Sequence, residues 1–105
     1  MNMDIGELQK NSKRACTLLK SMANEWRLLV LCNLAEGEKS VSELQNLLPL
    51  SQSALSQHLA ILRREKLVAT RKSAQSVYYS LASTEAEAIM ATMHDVFCSK
   101  PEPSC

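Results

Sequence analysis

The chain has 105 residues, of which 46% are hydrophobic and 22% charged, with a formal net charge of +1. That length suits one domain with a modest core, and no apolar run approaches the roughly 18 residues that a membrane span needs. The net charge by itself argues nothing about nucleic acid; how the charges are distributed says more.

The N-terminal stretch MNMDIGELQKNSKR carries acids and lacks the basic-then-apolar order of a signal peptide, so a cytoplasmic protein is expected. Residues 4–22 read as a first helix, with Leu8, Ser12, Ala15, Leu19 and Met22 on one stripe. A second helix runs over about 24–36, with Asn24 as N-cap, Gly37 as stop, and Leu28, Leu31, Cys32 and Ala35 on one face. A short third helix covers 41–48; Ser40 and Glu43 have capping-box spacing, and Pro49 ends it. Ser51 caps a fourth helix to about residue 65, with Leu55, Leu59 and Leu62 facing inward. Two stretches of strand character follow, 68–72 and 76–81, with the hairpin tip at 72–75. The tip has no glycine, which leaves its turn type open. A last helix starts near Ser83 or Thr84, with Glu87 as the capping acid; Ala86, Met90, Met93 and Phe97 form its stripe, widened by Ile89 and Val96. Residues 1–99 are expected to form the domain and 100–105, KPEPSC, a flexible tail.

The charges are distributed unevenly. Between residues 51 and 80 the bases are Arg63, Arg64, Lys66, Arg71 and Lys72, against Glu65 alone. Residues 1–50 balance six bases with six acids, and residues 81–105 are acidic. A basic β-hairpin behind two helices joined by a short turn makes a winged helix-turn-helix: mainly α, in the order α-α-α-α-β-β-α. The fourth helix has short polar side chains at its N-terminal end, the end that such proteins push into the major groove. Gln52 and Gln57 suit bidentate contact to adenine, and Ser51, Ser53 and Ser56 can meet either base type. Arg63 and Arg64, two turns on, suit phosphate contact. Arg71, Lys72 and Gln75 sit on the wing, within reach of phosphate or minor groove. His58 is assigned a structural or phosphate-facing role. Double-stranded DNA is the expected partner, with no membrane partner and no cofactor.

The segments MANEWRLLVLCNL, VSEL, LSQSALSQHLAILRREKLV and RKSAQSVYYSL together resemble the ArsR/SmtB family of dimeric bacterial repressors, over about residues 12–98. The resemblance implies a homodimer through the first and last helices, which would read a near-palindromic operator. Classical members sense metals. Here the third helix, VSELQNLL, lacks the CxC-type cluster, and the last helix offers only His94 and Asp95, so no metal site is expected from matching motifs. The sequence is closer to the sulfide- and persulfide-responsive dithiol subgroup, and Cys32 and Cys98 fall at that subgroup's cysteine positions. The resemblance implies a repressor that reactive sulfur species release by linking Cys32 and Cys98.

Cys32 also reads as a small buried core residue among Leu28, Leu31 and Ala35. Cys16 reads as an ordinary helix residue and Cys105 as a tail thiol. Three further readings stay open: a metal-responsive regulator, a constitutive DNA binder that activates by displacing a silencer, and a thiol-transfer enzyme. No cofactor loop, catalytic triad or hydrolase motif accompanies the cysteines, and a non-enzyme is expected.

Overall fold

The computed structural model describes residues 4–98; the tail expected at 100–105 lies outside them. Along these residues the elements are α1 (Ile5–Met22), α2 (Glu25–Ala35), β1 (Lys39–Ser40), α3 (Val41–Leu47), α4 (Gln52–Arg64), β2 (Val68–Ser73), β3 (Ser76–Leu81) and α5 (Thr84–Phe97). This is a winged helix-turn-helix, mainly α with a β-hairpin wing.

The helices start where capping side chains stand. Asn24 accepts from the Trp26 and Arg27 backbone N–H groups at 2.9 and 3.1 Å. Ser40 accepts from the Glu43 N–H at 3.1 Å while Glu43 accepts from the Ser40 N–H at 2.9 Å, a closed capping box. Ser51 accepts from the Ala54 N–H at 3.1 Å. At α5 the expected capping acid needs correction. Ser83 is the cap and accepts from Ala86 at 3.0 Å, so the box position falls on an alanine. Glu87 is left as a first-turn acid that favours the helix dipole.

The three strands are antiparallel in the order β1-β3-β2. Strand β1 was not expected; its two residues pair Lys39 with Tyr79 and Ser40 with Tyr78, and so short a segment has no alternation to read. The hairpin is also longer than expected. Ser73 pairs with Ser76, which leaves Ala74 and Gln75 as a two-residue tip and puts Lys72 in the ladder opposite Val77. Ala74 adopts φ +54°, the left-handed conformation that such a tight turn requires. Lys66 does the same at φ 62°. Its N–H bonds the Arg63 carbonyl and the Leu67 N–H bonds the Leu62 carbonyl, which ends α4 and turns Leu67 into the core.

Leu31, Leu44, Leu55, Leu59, Leu62 and Val30 are fully buried at the centre. The inward leucines of α4 are thus the expected ones. The buried face of α2 is not: it is Val30, Leu31 and Leu34, while Cys32 and Ala35 are exposed. A helix that is apolar nearly all round does not reveal its inner face by period. On α1, Met22 is buried and Ala15 half-buried, while Leu8 and Leu19 are exposed. No helix among the described residues is long and apolar enough to cross a membrane.

Candidate nucleic-acid interface and thiol groove

Helices α3 and α4 meet through Leu48, Pro49, Leu50 and Ser51. Three buried leucines hold α4 on the core, and its outer face presents Gln52, Ser53, Ser56 and Gln57, all exposed, with exposed Ser51 at the cap. The first turn contains no acid, so the positive end of the helix dipole faces outward uncompensated and suits a phosphate. Exposed Arg63 and Arg64 close the same helix.

His58 differs from these. It is half-buried, and its Nδ1 lies 3.4 Å from Nη1 of Arg27. A guanidinium only donates, so Nδ1 accepts and the ring hydrogen is on Nε2. Burial, then the nearby Arg27 charge, hold the His58 pKa below its ordinary value, so the ring is neutral at pH 7. The Arg27 contact is one that a structural role for His58 would use. Arg27 also donates through Nε to the Ser21 carbonyl at 2.6 Å, tying the end of α1 to α2 and α4. Nothing in the local sequence singles out Arg27.

The wing places Lys72 and Gln75 in solvent. Arg71 was expected to reach phosphate or minor groove, but its guanidinium is engaged. Nε and Nη2 donate to the two carboxylate oxygens of Glu38, each at 2.7 Å, and its centre lies 4.5 Å from the centroid of the Tyr78 ring. The Arg71 hydrogen bonds hold the Glu38 pKa below the usual carboxylate value.

Cys32, Glu36, Leu81, Met90, His94 and Cys98 help line a groove of about 800 Å³ between α2 and α5. Cys32 is an exposed free thiol, which overturns its reading as a buried core residue. Partial burial of the thiol by the groove walls raises the Cys32 pKa, and the Glu36 carboxylate one turn on adds to the rise. Cys32 is thus accessible but not a ready thiolate. Cys98 is the half-buried C-cap of α5; its N–H donates to the His94 carbonyl at 2.7 Å. Cys16 is an exposed free thiol on α1; Cys105 lies outside the described residues. Among those residues no three His, Cys, Asp or Glu side chains gather as metal ligands.

A model of the family described as "Bacterial regulatory protein, arsR family" matches residues 24–70. The Transcriptional activator HlyU of Vibrio cholerae is 56% identical over 96 residues, 91% of this chain and 89% of the relative. The Biofilm growth-associated repressor of Agrobacterium fabrum is 37% identical over 105 residues, 95% of this chain and 90% of the relative. A solved structure of reduced HlyU from Vibrio cholerae, 58% identical, superposes with a TM-score of 0.83, over 88% of this chain and 97% of that one.

Proposed function

The chain belongs to the ArsR family of bacterial regulatory proteins and is a transcriptional regulator; from that premise we propose that it is a cytoplasmic homodimeric repressor, released from a near-palindromic operator when reactive sulfur species link Cys32 and Cys98. The terminal helices support the dimer. Ile5, Leu8 and Leu19 on α1, and Met93, Val96 and Phe97 on α5, are exposed large apolar side chains, a surface that a second copy would cover. A two-fold dimer would then set its two α4 helices in successive major grooves, about 34 Å apart.

The observation that carries the sulfur response is that Cys32 and Cys98 line one groove, one on α2 beside the core and one at the end of the proposed dimer helix. Starting from reduced protein, a polysulfide transfers sulfane sulfur to the Cys32 thiolate and leaves shortened by one sulfur. The Cys98 thiolate attacks the inner sulfur of that persulfide and hydrogen sulfide departs. The cysteine pair is oxidised by two electrons to a disulfide, and the sulfane sulfur is reduced to sulfide. Where the polysulfide instead leaves two sulfane sulfurs on Cys32, the Cys98 thiolate attacks the first of them, the outer one departs as hydrogen sulfide, and the bridge is one sulfur longer. Either link restrains α5 against α2 and alters the spacing of the two α4 helices. A coupling of a few kcal/mol between DNA-competent and incompetent states is enough for release. The raised Cys32 pKa favours an oxidant that reacts well with a sparse but strongly nucleophilic thiolate. The pair acts once per oxidant, as a switch rather than an enzyme.

The test is a gel-shift titration with sodium tetrasulfide, on an operator duplex selected from a randomised library. Parent protein should dissociate, while Cys32→Ser and Cys98→Ser should stay bound. Dissociation of both variants like the parent would sink the dithiol switch, and release by stoichiometric zinc instead would favour a metal-responsive regulator. The name of the 56% identical relative, an activator, favours a second reading in which operator occupancy raises expression by displacing a silencer. Deleting the gene separates the two: target transcripts rise for a repressor and fall for an activator.

A further inference from the structure

We propose that Arg71 is a positioning residue rather than a DNA contact: its bridge from Tyr78 to Glu38 sets the angle of the wing, and phosphate contact on the wing falls to Lys72. The inference rests on the DNA-binding reading of α4 and the wing, and adds a division of labour within it.

The strand register places the bridge. Arg71 on β2 is the Cα partner of Tyr78 on β3, and Tyr78 is the partner of Ser40 on β1. Glu38 stands two residues before Ser40, so the Arg71 side chain runs across the whole sheet, over the Tyr78 ring, to a carboxylate at the end of the α2–β1 connection. Both Glu38 oxygens are used, which fixes the guanidinium in plane and direction rather than only in distance. A hairpin is a two-stranded lever with little stiffness of its own. A tie from its outer strand to the α2–β1 connection adds to the β1–β3 pairing in limiting its swing.

The faces assign the remaining roles. Val68, Tyr79 and Leu81 pack on the core, so they mark the inner face of the hairpin. Side chains alternate along a strand, which puts Arg71 and Tyr78 on the outer face and Lys72, two residues beyond Thr70, on the inner one. The inner face is also the one against α4, where Tyr79 lines a groove with Ser56, Arg63 and Arg64. Lys72 is therefore the wing cation that shares a side with the recognition helix. Arg71 has its charge matched by Glu38 on the other side.

The two assignments give opposite signs when Glu38 is removed. Affinity for the selected operator duplex, of about 30 base pairs, is measured against salt concentration. With a positioning bridge, Glu38→Gln and Arg71→Gln each weaken binding about 3- to 10-fold with the salt slope unchanged, and the double variant is no worse than either single one. Lys72→Ala lowers the slope by about 2 for the dimer. The charge-swapped pair Glu38→Arg with Arg71→Glu returns most of the affinity. If Arg71 instead holds phosphate, Glu38→Gln frees it, tightens binding and steepens the slope, the swapped pair binds worst, and the proposal is overturned. Hydrogen exchange of wing amides 71–78 in the free protein gives a readout without DNA. Exchange should quicken in Glu38→Gln, and unchanged exchange would overturn the bridge by itself. A parent protein that shows no salt-dependent DNA binding would instead remove the DNA-binding reading, whatever the exchange result.

Discussion

The outer face of α4 and the groove between α2 and α5 are built differently. The first comes from consecutive turns of one helix. Leu55, Leu59 and Leu62 bury its back in the core, and its front carries short polar side chains in fixed positions. The second comes from residues far apart in the chain, Cys32 on α2 and Cys98 at the end of α5. One of its walls belongs to a helix whose Met93, Val96 and Phe97 are exposed. The proposed duplex-reading surface sits on a helix whose back is fully buried. The proposed reagent-responsive groove has one wall on the terminal helix, with its exposed apolar side chains, where a new covalent link would shift the structure at low cost.

The largest expected effect tests the anchoring of the first region. Leu59→Ala should lower the unfolding free energy by about 2–5 kcal/mol, read by urea denaturation, because it leaves a cavity behind α4. Operator affinity should fall with it, while Cys32 alkylation in the folded protein should hardly change. A change in alkylation comparable to the loss of DNA binding would erase the distinction between the regions. Next comes Gln57→Ala. Loss of a base-edge contact should cost about 1–3 kcal/mol of operator binding per site, with weak binding to random duplex retained, and Cys32 reactivity should again be untouched.

Smaller effects come from protonation. The His58 pKa is depressed in the folded state, so the folded protein binds fewer protons than the unfolded one near pH 6.5. Stability is then fully present above that pH and declines as pH falls through the lowered pKa. His58→Gln should flatten the decline, measured as unfolding free energy between pH 5 and 7.5. Smallest is the tuning of the groove. The Glu36 charge helps raise the Cys32 pKa, so Glu36→Gln should speed iodoacetamide alkylation at pH 7.5, leaving operator affinity of the reduced protein unchanged. A slower reaction would contradict the electrostatic role of Glu36.

The two regions also differ in how far the sequence revealed them. The polar head of α4, its Ser51 cap and its buried leucines follow from spacing within one helix, and the structure keeps all three. The cysteine positions came from family resemblance, but the face of Cys32 did not: α2 is apolar on several sides, and only tertiary packing chose Val30, Leu31 and Leu34 for the core. The two-residue β1 and the Arg71–Glu38 bridge were hidden for a related reason. A bridge between residues brought together by strand pairing has no local pattern, and an arginine in a basic hairpin reads most simply as a phosphate contact. His58 was legible only as two alternatives until Arg27 was placed beside it.

In the proposed switch, a link in the thiol groove is felt at α4. The direct measurement is operator affinity by fluorescence anisotropy, with Cys16 and Cys105 replaced by serine. Reduced protein is compared with protein purified after tetrasulfide treatment and shown by mass spectrometry to carry a Cys32–Cys98 sulfur bridge. The bridged form should bind at least about tenfold more weakly, a coupling of about 1.4 kcal/mol or more. Equal affinity of the two forms would contradict it.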